Sequence, residues 1–140
     1  MAVKDSDLLS IQQARTLAAA ARAAQKTLAD FSQEQIDRIV QAMAEAARRD
    51  AERLARLAVE ETGFGNVKDK IAKNMFAAVD VYEYIRPMRT VGIIREDRAR
   101  RVVEIAEPMG VVAAVIPSTN PTSTAIFKAL ISIKARNACV

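Results

Sequence analysis

The residues with the most chemical promise lie together near the end of the chain. Ile116-Pro117-Ser118-Thr119-Asn120 follows an apolar run, GVVAAVI (Gly110 to Ile116). It precedes a helix-forming stretch, PTSTAIFKALISIKAR (Pro121 to Arg136). Open parallel sheets bind ligands at such loops, beyond the carboxyl end of a strand. The helix that follows offers free backbone N–H groups and a positive dipole end, which stabilise a phosphate, a pyrophosphate or a developing oxyanion. Asn120 adds a side-chain amide. Asn before Pro at the first helical position is also an ordinary helix start. Capping and oxyanion stabilisation therefore compete for one side chain. Thr122, Ser123 and Thr124 are expected to satisfy first-turn N–H groups, with contact to phosphate or cofactor as the second reading.

Other chemistries are excluded by composition. The chain has no histidine, so it builds no His-based metal site, proton shuttle or Ser-His triad by itself. Cys139 is the only cysteine, which rules out an internal disulfide. It lies in an apolar stretch, where a structural thiol is expected. Neither G-x-G-x-x-G nor G-x-x-x-x-G-K-[ST] occurs, so a nucleotide bound here is held in another way. Glu60 and Glu61, at a helix end with no metal ligand nearby, read as solvent-facing or ion-paired. Arg95, Arg98, Arg100 and Arg101 read as a solvated hairpin tip, with contact to nucleic acid or to a ligand's phosphates as the sharper alternative. Lys128 and Lys134 read as snorkelling stems. The net charge of +4 is spread along the chain and interleaved with acids, which is weak support for nucleic-acid binding.

Several elements must position the loop. The chain has 140 residues and is 51% hydrophobic, enough for one domain with a core. Its start has no secretory pattern and no apolar run is long enough to cross a membrane, so a cytoplasmic setting is expected. A first helix is predicted over Ser6 to Asp30, its stripe formed by Leu8, Ile11, Ala14, Leu17, Ala18, Ala21 and Leu28. Ser32 and Gln35 form a capping-box pattern for a second helix, with Phe31 and Ile36 as its hydrophobic staple. Ile36, Val40, Met43, Ala47, Leu54 and Ala58 mark its buried face, and Gly63 ends it. A third helix is predicted from Asn66 to Pro87, buried through Ile71, Met75, Ala78, Tyr82 and Ile85.

Thr90–Arg95 and Arg101–Ala106 then read as a hairpin around a charged tip. Gly110–Ile116 reads as a strand buried on both faces. The helix after the loop is apolar on most sides, so deep burial is expected, with Asn137 as its C-terminal cap. Ala138–Val140 reads as the start of the next strand. The last 30 residues thus form an opened βαβ unit, the building block of doubly wound sheets. On this reading the chain is the front portion of a larger α/β enzyme. Its parts are a helical segment (1–89), a hairpin (90–107) and the start of a truncated dinucleotide-binding domain (108–140). The apolar strand edges are then expected to lack partners when the chain stands alone.

The stretch EPMGVVAAVIPSTNPTSTAIFKALISIKARNA, Glu107 to Ala138, closely resembles the CoA-acylating branch of the aldehyde dehydrogenase superfamily. EETGFGNVKDKIAKN, Glu60 to Asn74, resembles the family's E-[ST]-G-x-G stretch followed by a D-K-x-x-K-N helix. The resemblance runs over essentially the whole chain and is weakest in the first helix. It implies an α/β, aldehyde dehydrogenase-like fold, with helices and a hairpin leading into a truncated Rossmann-type parallel sheet. It also implies an oxidoreductase that converts a small aldehyde, coenzyme A and NAD or NADP into an acyl-CoA and the reduced cofactor. Catalysis there runs through a cysteine thiohemiacetal.

On the same resemblance Asn120 matches the family's oxyanion-stabilising asparagine. Ile116, Pro117, Ser118 and Thr119 match the loop beside the nicotinamide end of the cofactor. The family's nucleophile lies far downstream and Cys139 does not match it, so the chain alone is expected to be inactive. The hairpin matches the arm that joins subunits, implying a homo-oligomer. Two alternatives stand beside this reading. One is a hydrolytic aldehyde dehydrogenase, whose loop carries Trp-Asn or a similar pair where this chain has Thr119-Asn120. The other is a non-catalytic subunit or assembly module.

Overall fold

The computed structural model describes residues 5–140. Helix α1 spans Ser6–Leu28, with Asp5 as its N-cap accepting from the backbone N–H groups of Asp7 and Leu8. Its predicted stripe is mostly exposed: Leu8, Ile11 and Leu17 face outward, and only Ala21 and Leu28 are half-buried. The correction has a simple cause. The helix is anchored at its C-terminal end, where Gln25 is buried and donates to the carbonyl of Arg136.

Helix α2, Gln33–Thr62, begins as the sequence requires. The capping box is complete: Gln35 N donates to Ser32 Oγ, and Ser32 N donates to Gln35 Oε1. Phe31 and Ile36 join one apolar cluster, as a staple does. Gly63 ends the helix at φ 68°, a left-handed position that glycine takes without strain. The buried face is richer in alanine than the stripe suggested. Ala44, Ala51, Ala55 and Ala58 are buried, whereas Met43, Ala47 and Leu54 are half-buried.

Small side chains at these positions let helix α3, Val67–Met75, pack closely on α2. Asn66 caps α3 by accepting from Asp69 N at 2.9 Å. The chain continues through a π-helical turn, Phe76–Asp80, into α4, Val81–Ile85. A π turn inserts an extra residue into the helical repeat. The predicted stripe holds in its second half, where Ala78 and Ile85 are buried and Tyr82 is half-buried, and departs in its first, where Ile71 and Met75 are only half-buried while Lys70 and Asn74 are buried.

Strands β1 (Gly92–Asp97) and β2 (Val102–Ala106) form the expected antiparallel hairpin, with a register shift between Ile93 and Arg95. The tip arginines are exposed and paired locally: Arg95 with Glu104, Arg98 with Glu96, and Arg100 with Asp97. The expected strand from Gly110 to Ile116 is shorter. Only Val111–Val112 (β3) is regular, and it pairs in parallel with Ala138–Cys139 (β4). Ala114 N extends the ladder to Val140 O at 2.7 Å. Val115 is 76% exposed, against the expectation of burial on both faces. The reason is that β3 has one ladder neighbour among the described residues.

Helix α5, Pro121–Lys134, packs on α2 through Leu130, which is 1% exposed. It is open on another side, where Phe127 and Ile131 are exposed, so its burial is partial. Its end also differs from expectation. The left-handed residue is Arg136 (φ 57°), not Asn137. Asn137 N donates to Ser132 O and Arg136 N to Ile133 O, which is a Schellman pattern. Arg136 tolerates this conformation because its guanidinium donates to Ala29 O and Ala106 O, tying α1 and the hairpin to α5. Asn137 Oδ1 instead accepts from Gly110 N at 2.8 Å, which sets the start of β3.

The open edge and apolar faces carry a prediction. The chain by itself is expected to self-associate and to bind a hydrophobic dye. Sedimentation and thermal scanning check this, and a monomer with a cooperative melt contradicts it.

Candidate functional site

The loop Ile116–Thr119 leaves the carboxyl end of β3 as an exposed turn in which Asn120 N donates to Pro117 O. It delivers Asn120 to the N-terminus of α5. Asn120 has φ −149° and ψ 61°, and its side chain does not cap the helix. The two readings of this residue thus separate in the geometry, because the carboxamide is not engaged by the first-turn N–H groups. Asn120 lines a cavity of about 450 Å³ with Ala72, Lys73, Phe76, Ala77 and Phe127 among its neighbours. The lining is mainly apolar, so a small apolar ligand fits it and Asn120 supplies a polar amide. The π turn contributes Phe76 and Ala77 to this wall.

The hydroxyls of Thr122 and Thr124 do not satisfy first-turn N–H groups, the first of the two roles expected of them. Thr122 Oγ1 donates to Asn74 Oδ1 at 2.8 Å, and Thr124 Oγ1 donates to Asn120 O at 2.7 Å. Ser123 is buried and lines the same cavity. Lys128 Nζ donates to Val115 O at 2.6 Å, bracing the strand end just before the loop.

Lys134 is not a snorkelling stem. It is 3% exposed, and its ammonium donates to Asp37 Oδ1 at 2.6 Å and to Arg86 O at 3.0 Å. One side chain thus ties α2, the end of α4 and α5. Gln33 donates to the same Asp37 carboxylate and accepts from the backbone N–H groups of Thr90 and Val91. Tyr82 lies beside this cluster. Burial pushes its phenol above the ordinary value, and the charge of Arg86 opposes the shift.

Lys70 and Asn74 stand in the D-K-x-x-K-N stretch that carries the family resemblance, but the sequence alone assigned neither of them a role. Lys70 Nζ donates to Thr119 O at 3.0 Å, and Asn74 Nδ2 donates to Ala51 O at 2.9 Å. The available signal was their four-residue spacing, which places both on one helix face. Cys139 is half-buried on β4 and takes no part in the cavity. Glu60 and Glu61 are exposed. Among the described residues no cluster of three metal-ligating side chains occurs, and no helix is long and apolar enough to cross a membrane.

The donor set suits a dinucleotide's nicotinamide end in kind. Ile116 and Pro117 offer apolar surface, Ser118 and Thr119 offer hydroxyls, and the α5 N-terminus offers free N–H groups.

The sequence pattern of the aldehyde dehydrogenase family matches residues 4–140. The bifunctional aldehyde-alcohol dehydrogenase of Escherichia coli K12 is 43% identical over 131 residues, which is 94% of this chain and 15% of that protein. The crystal structure of an acetylating aldehyde dehydrogenase from Geobacillus thermoglucosidasius superposes with a TM-score of 0.95 at 61% identity, over 98% of this chain and 30% of that one. An engineered glycolyl-CoA reductase, solved with NADP+ bound, superposes with a TM-score of 0.67 at 29% identity, over 89% of this chain and 28% of that one. The chain therefore spans less than a third of each of these relatives.

Proposed function

The chain belongs to the aldehyde dehydrogenase family, and from that premise we propose that it is the N-terminal part of a CoA-acylating enzyme. That enzyme oxidises a small aldehyde with NAD or NADP and passes the acyl group to coenzyme A. The single observation that carries the reading is the free carboxamide of Asn120 on the wall of an apolar cavity, at the mouth of a βαβ unit. A donor so placed stabilises the oxyanion that forms when a thiolate adds to an aldehyde carbonyl.

Ile116 to Thr119 hold the nicotinamide end of the cofactor, with the first turn of α5 beside them. The bound cofactor supplies a hydride acceptor. Phe76, Ala77 and Phe127 offer the carbon chain of the aldehyde an apolar surface. Cys139 is a structural thiol, and the chain alone does not turn over. The name of the Geobacillus relative, an acetylating aldehyde dehydrogenase, supports the acylating reading over the hydrolytic one.

The hairpin is the second element of the proposal. Ile93, Ile94, Val102, Val103 and Ile105 are all exposed, and β1 and β2 pack chiefly on each other. A two-stranded ribbon with apolar residues left uncovered is marginal in water. We assign it to a subunit interface in a homo-oligomer. The enzyme acts in the cytoplasm, without nucleic-acid or membrane partners.

The test uses the completed enzyme, meaning this chain joined to the catalytic remainder, supplied by its own downstream sequence or by that of the Geobacillus relative. Incubated with a short aldehyde and NAD or NADP, it is expected to form reduced cofactor and acyl-CoA only when CoA is present. Free acid formed without CoA supports the hydrolytic alternative. An intact protein that oxidises no aldehyde supports the assembly module.

A further inference from the structure

Lys70 and Asn74 are buried polar side chains that the core, the caps and the Lys134 network do not use. Lys70 is 4% exposed and Asn74 is 1% exposed, four residues apart on one face of α3. A buried cation is costly unless a partner compensates it. Lys134, the other buried lysine, has the carboxylate of Asp37. Lys70 makes no ion pair among the described residues, and its ammonium is directed at the carbonyl of Thr119. Asn74 uses both ends of its amide. Its Nδ2 donates to Ala51 O on α2, and its Oδ1 accepts from Thr122 Oγ1 on α5.

Thr119 and Thr122 bracket Asn120. Neither Lys70 nor Asn74 lines the cavity, so neither reaches a ligand there. Whatever they do for the site they do through the backbone on either side of Asn120.

We infer that Lys70 and Asn74 are positioning residues that clamp the chain before and after Asn120, and so hold its carboxamide toward the cavity instead of over the end of α5. This rests on the reading of Asn120 as the oxyanion donor. The clamp acts on the backbone around Asn120, whose φ of −149° and ψ of 61° go with a side chain that does not cap the helix. A misplacement of about 1 Å at a reacting centre costs on the order of 10²-fold in rate. The positive charge of Lys70 beside the Thr119–Asn120 peptide has the sign that suits a developing anion.

The test is a double-mutant cycle in the completed enzyme, comparing Lys70→Met, Asn120→Ala and the pair together. Lys70→Met is expected to lower kcat about 10- to 100-fold while leaving KM for aldehyde and cofactor within about threefold. If Lys70 acts through Asn120, the pair is no slower than Asn120→Ala alone, to within about twofold. Lys70→Arg, which keeps a cationic donor, is expected to recover most of the loss. If Lys70→Met does not fold, the cycle is run with Thr122→Val, an isosteric change that removes the hydroxyl from the second clamp.

An unchanged kcat, or losses that multiply in the pair, overturns the inference and leaves the function of the site standing. An unsubstituted enzyme that forms no acyl-CoA is a different failure, since it removes the functional reading on which the inference rests.

Discussion

Asn120→Ala in the completed enzyme lowers kcat by about 10²–10³-fold, the cost of removing one oxyanion donor, with smaller changes in KM. The expectation follows from what the side chain does not do. It sits at an N-cap position, yet leaves the first-turn N–H groups of α5 alone. Were it an ordinary cap, the same change would cost about 1 kcal/mol of stability and leave kcat nearly untouched. Steady-state kinetics and a thermal melt on the same preparation separate the two outcomes. Loss of rate at unchanged melting temperature supports catalysis. A lower melting temperature with normal rate supports capping. Asn120→Asp sharpens the contrast, because a carboxylate is a good N-cap and a poor neighbour for an oxyanion.

Asp37→Ala is expected to destabilise the fold by about 2–3 kcal/mol, somewhat below the 3–5 typical of stripping one partner from a fully buried pair. The Lys134 side chain is 4% exposed and loses its only carboxylate, keeping the carbonyl of Arg86. The Asp37 side chain is 42% exposed, which lets water reach the broken pair and moderates the loss. Removing both charges with Asp37→Leu and Lys134→Met is expected to cost less than Asp37→Ala alone, because no buried charge is left unpaired. Melting temperatures of the three variants check the order. A single Asp37→Ala variant as stable as the parent shows that the pair carries no net weight.

Local signals in the sequence translated well. The Ser32 capping box, the stop at Gly63, the helix start near Asn66 and the antiparallel hairpin all follow from residue type at fixed spacing, and all are present. The parallel pairing of β3 with β4 was legible from the apolar run, the loop and the returning strand. Periodicity was less reliable. It placed Ile71 and Met75 in the core of α3, where Lys70 and Asn74 lie instead. The rule that charged residues face water fails where a backbone carbonyl or a carboxylate waits across the interface, as it does for Lys70 and Lys134.

Periodicity also placed the α1 stripe inside, although that helix is anchored by its last turns. Asn137 looked like the natural left-handed residue. Arg136 takes that place because its guanidinium reaches two carbonyls far away in sequence. The position of the loop after β3 and of Asn120 at the start of α5 was legible from spacing. Their supports were not, because Lys70 and Thr119 meet across 49 residues of chain.

The most direct test of the central claim is a crystal structure of the completed enzyme with NAD or NADP bound. The nicotinamide ring is expected along Ile116 to Thr119, with Asn120 Nδ2 turned into the cavity beside it. A dinucleotide bound elsewhere, or an Asn120 side chain folded back onto the N–H groups of α5, contradicts the account.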